Sequence, residues 1–165
     1  TPLSNAASRG HTDIVRMLLV EGKADVDKAR TGFGFTPLYN AARWGHTEIV
    51  RILLERGADV DKATVEYGIT PLLIAVDEGR TDVVLVPLDH VATVDKAMVD
   101  IGFTPLYVAA QEGHGDVARL LLDAGSRAIN TKDSRGVALV PTVLFVHLRL
   151  EQTALLLQLG LMLLS

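Results

Sequence analysis

Apolar residues in the stretch 36–63, TPLYNAARWGHTEIVRILLERGADVDKA, fall into two short clusters, each at helical spacing. Leu38, Ala41 and Ala42 form one face, and Ile49, Val50, Ile52, Leu53 and Leu54 form a second, so the pattern predicts two consecutive helices. Polar and special residues supply the boundaries. Thr36 suits the N-cap of the first helix and Pro37 its first position, where a missing N–H is harmless. Gly45 ends that helix, the second starts near Thr47 or Glu48, and Gly57 supplies a left-handed C-terminal position. Each helix is too short to hold in water by itself. The apolar face of the pair stays open unless a neighbouring copy covers it.

Such copies are present. The pattern recurs from Thr1, Thr36, Thr70 and Thr104, at spacings of 35, 34 and 34 residues. Gly34, Gly68, Gly102 and Gly136 recur in the connecting loops, as expected where a hairpin-like finger needs a backbone angle that Gly adopts cheaply. The order TPL-x-x-A-A-x-x-GH-x-x-I-V-x-x-LL-x-x-G-A-D-V closely resembles the ankyrin repeat, whose period is roughly 33 residues. The excess length lies in the connections: one residue more than usual between Asp61 and Gly68, and Lys23 as a further insertion. The resemblance implies an all-α fold, a solenoid of stacked helix-turn-helix units with hairpin-like finger loops.

Four units are recognisable, at 1–35, 36–69, 70–103 and 104–137. In the first, Gly10 and Gly22 are the expected helix stops. The third has Pro87 in place of Leu53 and Val91 in place of Gly57. Its second helix is expected to be distorted, because an interior Pro costs roughly 3 kcal/mol and Val tolerates a left-handed angle poorly. In the fourth, Gly115 stands where a cap of the second helix is expected. Residues 138–165 keep a helix-like stretch from Glu151 to Leu157 but lose the TPL and GH signals, and are read as a degenerate fifth repeat or apolar tail. A membrane span is disfavoured there, because His147, Arg149, Glu151 and Gln152 interrupt the roughly 18 apolar residues that spanning requires. The opening at Thr1, inside the first turn of a repeat, is expected of a piece of a longer protein.

Composition narrows the chemistry. At 165 residues and 48% hydrophobic, the chain has apolar material for a sizeable linear core. A net charge of -4, with both signs interspersed, offers no field for nucleic acid or an anionic membrane. The absence of cysteine removes disulfides, thiolate metal sites and a Cys nucleophile, and fits an intracellular, cytoplasmic setting. His11, His46 and His114 occur once per repeat in the Gly-His step, about a repeat apart, too far to converge on one metal ion. The ankyrin resemblance implies that this His lies at the turn between helices and bonds backbone; Arg80 replaces it in the third unit. Asp77 with Glu78, and Glu112 with Asp116, are expected on exposed helix ends without an apolar pocket to shift a pKa. No phosphate loop, nucleophile elbow or H-E-x-x-H pair is present, so no cofactor is implied and the chain is not expected to be an enzyme. The VDKA at 26–29, 60–63 and 94–97 reads as a surface charge ladder between repeats, worth about a few tenths of a kcal/mol per pair.

Function in such a solenoid comes from what varies between copies. By resemblance to ankyrin proteins, partner contacts come from finger tips and from the exposed end of each first helix, on the concave face. Here those positions hold Phe33, Phe35, Glu66, Tyr67, Ile69, Asp100, Ile101 and Phe103 on fingers. On helices they hold Ser8, Arg9, Arg43, Trp44, Asp77, Glu78, Gln111 and Glu112. Aromatic residues and Arg are the types enriched at interface hot spots. Phe35, Ile69 and Phe103 have a competing reading as finger-on-finger packing, and Tyr39 and Tyr107 are expected to fill the groove between repeats. The helix-end pairs predict a face that is basic in its N-terminal half and acidic in its C-terminal half. The expected role is a non-catalytic module, monomeric, that binds a partner protein or peptide rather than nucleic acid, metal or membrane. The alternative is a regulatory segment of a larger enzyme, channel or signalling protein.

Overall fold

The computed structural model describes residues 1–90, 92–99 and 101–125. They form four helix pairs: α1 (Pro2–Arg9) with α2 (Thr12–Val20), α3 (Pro37–Trp44) with α4 (Thr47–Glu55), α5 (Pro71–Asp77) with α6 (Thr81–Asp89), and α7 (Pro105–Glu112) with α8 (Gly115–Asp123). Among the described residues there is no strand. The expectations for Val91, Asp100, Gly136 and the degenerate repeat at 138–165 lie outside the described residues.

Thr opens every pair. The hydroxyls of Thr1, Thr36, Thr70 and Thr104 accept the N–H of Ser4, Tyr39, Leu73 and Tyr107 at 3.0, 3.0, 3.1 and 3.3 Å. Each cap is worth about 1 kcal/mol, and those of Thr36, Thr70 and Thr104 are buried, so nothing else could satisfy these donors. The second helices start differently. His11, His46, Arg80 and His114 are the N-cap residues, and none makes a side-chain cap bond. Each is the centre of a tight turn in which the next residue's N–H reaches back to the preceding Gly carbonyl at 3.0 Å. Gly115 therefore forfeits no cap, contrary to expectation, because no unit has a side-chain cap at that point.

Two further expectations are corrected. Gly22 does not take a left-handed angle; Lys23 does, at φ 45°. The inserted residue lengthens the turn, so that the Ala24 N–H reaches Leu18 O, whereas in the second unit Ala58 reaches Leu53 O and Gly57 is left-handed at φ 81°. Gly22 is needed for a different reason, since a Cβ there would stand 2.9 Å from the Leu18 carbonyl oxygen. Pro87, for its part, does not break α6, which has the same nine residues as α2, α4 and α8. Pro87 lies in the last turn, so only one bond is forfeited before the helix ends, and the Ala92 N–H still closes on Pro87 O at 3.0 Å as Ala58 does on Leu53 O.

The first helices α1, α3, α5 and α7 approach one another more closely than the second helices do. Their facing residues are small, with Ala6, Ala7, Ala41, Ala42, Ala75 and Ala109 all buried, so the stack is tight on the inner row and opens toward the outer row. Large aliphatic residues of the outer helices, Ile49, Val50, Leu53, Val83, Val84 and Leu121, fill the wedge between the rows. Fingers close on themselves through Arg30 N–H to Phe35 O, Thr64 to Ile69 and Met98 to Phe103, at 2.9, 3.0 and 2.9 Å. They join their neighbours through Val65 N–H to Phe33 O at 3.2 Å and Val99 N–H to Tyr67 O at 2.9 Å.

The VDKA ladder exists, but it is not a ladder of charge pairs. The Asp27 carboxylate accepts the Asp59 N–H of the next unit at 3.2 Å from each oxygen. Asp61 likewise accepts the Thr93 N–H at 3.0 and 3.1 Å, together with the Thr93 hydroxyl. A carboxylate on an N–H is a charge-assisted bond with fixed geometry, which an exposed Asp–Lys pair is not. Lys96 donates to the Asp61 carbonyl oxygen at 2.8 Å.

The repeat geometry lets one substitution be compared at two equivalent sites. Met17 and Ile52 hold the same position in successive units, yet Met17 is 55% exposed and Ile52 3%, because only Ile52 has a described helix pair packed on its N-terminal side. Ile52→Lys should cost about 4 kcal/mol or more, through a buried uncompensated charge, and Met17→Lys under about 0.5 kcal/mol. Urea denaturation of the two variants measures both. Pro87→Leu should recover the missing bond to Val83 and raise the melting temperature by about 5 °C, at roughly 3 °C per kcal/mol, read by calorimetry.

Candidate functional site

With the caps, small residues and aliphatic core positions committed to stacking, two rows of side chains remain as candidates. One row is the finger tips Phe33, Tyr67 and Ile101, equivalent positions in successive units and all exposed. The other is the C-terminal end of the first helices, from Ser8 and Arg9 through Arg43 and Trp44, Asp77 and Glu78, to Gln111 and Glu112.

The finger residues divide by register. Phe35, Ile69 and Phe103 are half-buried and pack against the core, Phe35 and Phe103 on the first helix of the following unit. The Phe35 ring lies on Tyr39 with centroids 4.7 Å apart, and the Phe103 ring on Tyr107 at 4.3 Å. The competing reading of finger-on-finger packing is corrected for Phe35 and Phe103, which pack finger on helix. Phe33 extends the first stack outward at 5.4 Å from Phe35. Glu66 is exposed beside Tyr67, and its hydrogen bond to the phenol holds the Tyr67 pKa above its usual value. Tyr39 is buried, as expected, and burial raises its pKa against the opposing pull of Arg43.

The helix-end row has a cation in its first unit and carboxylates in its last two, with charges of opposite sign paired in its middle. Arg43 Nε lies 3.3 Å from a Glu78 carboxylate oxygen, close enough for ionic attraction, although the N–H is not aimed to make a hydrogen bond. Its guanidinium also lies 5.6 Å from the centre of the Trp44 ring, within cation–π range. Arg43 is engaged on both sides and is poorly placed to receive an acidic partner, which leaves Arg9 as the exposed cation of that end. Trp44 itself is 53% exposed.

Asp77 and Glu112 stand at the mouth of a groove of about 240 Å³ between the third and fourth units. Leu73, Ile74 and Val108, all buried, form its floor, and Met98, Ile101 and Phe103 its finger side. An apolar pocket beside these carboxylates was not expected, and it bears on the chemistry of Asp77. Burial holds the Asp77 pKa above the usual carboxylate value, with Glu112 and Glu78 adding to the rise and Arg43 and His114 opposing it. The sequence signal for the groove is one position that reads Asn5, Asn40, Ile74 and Val108 in successive units, polar twice and then aliphatic twice. Where it is Asn40, the amide bonds Ser4 Oγ at 2.8 Å, and the hollow beside it is lined by Thr1, Ser4, Asn5, Ser8 and Arg30.

The Gly-His steps at His46 and His114 each lock two units together. His46 Nε2 is 3.2 Å from the Ser8 carbonyl oxygen and His114 Nε2 is 3.2 Å from that of Asp77, so these ring nitrogens carry the proton and donate. Arg80 Nε donates to Arg43 O at 3.4 Å in the same way. The His ring fills the space over the preceding unit's Gly: a Cβ on Gly10 would meet His46 at 2.7 Å, and Gly10 is left-handed at φ 75°. The model of the family described as ankyrin repeats (3 copies) matches residues 1–64 and 61–133. The chain belongs to the ankyrin-repeat family. Ankyrin repeats are in general protein–protein interaction modules without catalysis of their own. No curated protein matches the chain. Among the described residues of this ankyrin chain, no three His, Cys, Asp or Glu side chains are grouped to hold a metal ion, and no helix is long and apolar enough to cross a membrane.

The raised Asp77 pKa has a testable sign. The folded state binds the Asp77 proton more tightly than the unfolded state, so stability falls as pH rises from the unfolded pKa to the folded one, and the penalty is complete above both. Asp77→Asn should raise the melting temperature at neutral pH and leave it unchanged near pH 3, where the carboxyl is protonated in both states. Thermal melts of both proteins across that range read the difference.

Proposed function

We propose that this chain is a binding module whose inner, concave side holds a partner protein or peptide, with Trp44 as the central anchor and the finger tips Phe33, Tyr67 and Ile101 as a second line of contact. The reading rests on one observation above the others: Trp44 is a large ring, half exposed, held at a helix end by a guanidinium that is itself held by Glu78. A rigidly positioned, exposed aromatic contributes contact area at small entropic cost, and such rings dominate interface energetics. Phe33, Tyr67 and Ile101 add apolar area along the same side on fingers tied together by backbone bonds. The remaining site residues Arg9, Glu66, Asp77, Glu78, Gln111 and Glu112 supply a polar surround that sets association rate more than affinity, while Phe35 and Phe103 brace the fingers. Asp100 belongs to this proposal by its place in the third finger.

With a partner captured on a sensor surface, Trp44→Ala should raise the dissociation rate by about thirtyfold, the equivalent of about 2 kcal/mol, and leave the association rate within about twofold. Surface plasmon resonance separates the two rates. Unchanged dissociation would remove Trp44 as the anchor.

A further inference from the structure

We propose that the groove between the third and fourth units takes an aliphatic side chain of the partner segment, and that this segment carries a lysine or arginine beside it. This deepens the concave-face reading and rests on it.

The size of the groove decides the first half. About 240 Å³ is below the roughly 300–1,000 Å³ of small-molecule sites, and suits one side chain. Its floor of Leu73, Ile74 and Val108 offers dispersion contacts and no polar partner, so the inserted group is aliphatic. The mouth decides the second half. Asp77 and Glu112 lie on α5 and α7, and among the described residues neither has an ion-pair partner within 4.0 Å, whereas nearby Glu78 is paired with Arg43 from α3. Glu112 accepts a hydrogen bond only from its neighbour Gln111, at 3.3 Å. The charges that act on Asp77 are Arg43, Glu78, Glu112 and His114, and burial together with the two glutamates outweighs the two basic groups. A neutral aliphatic segment seated here would strip water from both carboxylates and return nothing. An acidic segment would add repulsion, and a lysine or arginine at the mouth relieves both costs.

The test uses the full chain and three fluorescein-labelled peptides on a Ser-Gly framework, with centres Lys-Leu-Lys, Lys-Ser-Lys and Glu-Leu-Glu, read by fluorescence anisotropy at low salt and neutral pH. Lys-Leu-Lys should bind at least about tenfold more tightly than either of the others. Asp77→Asn with Glu112→Gln should remove its advantage over Glu-Leu-Glu, and Ile101→Ser should remove its advantage over Lys-Ser-Lys. All three positions are exposed, so these variants should fold. Equal binding of the three peptides, no saturable binding, or indifference to the carboxylate double variant overturns the groove assignment. If the peptides fail while Trp44→Ala still speeds release of a captured partner, only this assignment falls; if both fail, the concave-face reading falls with it.

Discussion

Every helix among the described residues is nine residues or shorter, and none could persist alone, so the fold depends on the contact between one unit and the next. That contact has three layers. Aliphatic residues of the outer helices and alanines of the inner ones exclude water. A His or Arg side chain of one unit donates to a helix-end carbonyl of the unit before it. On the finger side, an Asp carboxylate receives an N–H of the unit after it. The two polar layers matter because they sit at fixed points on an otherwise slippery apolar interface. A side chain that must reach one carbonyl sets the register of the whole pair, and each bond is repeated with the period of the chain.

That constraint explains what could be read from the sequence. Thr at the start, Gly at the end and the TPL spacing are local signals, and each acts where it stands: Thr36 caps the helix that begins at Pro37, and Gly45 ends it. Signals whose partner lies in another unit were visible only as recurrence. The period shows that His46 matters, but only the fold places its ring over Gly10 and its nitrogen on Ser8. The VDKA motif looked like paired charges because its Asp and Lys are adjacent in the chain, whereas the Asp is committed to an N–H 32 residues away. Departures from the pattern were harder. Pro87 looked severe by rule, and its place in the last turn made it mild. Lys23 was legible only as an insertion, and in the fold it takes the left-handed angle in place of the neighbouring glycine.

The candidate site was legible by register and less so by environment. Equivalence between units groups the exposed tips Phe33, Tyr67 and Ile101 apart from Phe35, Ile69 and Phe103, two residues further on, because the latter three pack against the core. The sign of a charge, by contrast, does not reveal its availability. Arg43 and Glu78 are 35 positions apart and looked like members of two halves of a gradient, yet they neutralise one another across the unit boundary.

The same boundary explains why the acidic character concentrates where it does. Once Glu78 is drawn to Arg43, the remaining carboxylates of the row, Asp77 and Glu112, face each other over a floor that has turned from asparagine to isoleucine and valine. In the first two units the equivalent asparagine, Asn40, reaches Ser4 and keeps the surface polar, so a carboxylate there would be solvated. In the last two there is no such amide, and the apolar floor lowers the local dielectric response just where two negative charges meet. A single change of residue type at a repeated position has therefore turned a polar hollow into an apolar one, and a carboxylate beside an apolar floor is costlier to leave without a counter-ion. Core positions cannot vary in this way without unstacking the units, which is why selectivity in such a stack is confined to the few inner positions that touch neither the cap, the His lock nor the outer wedge.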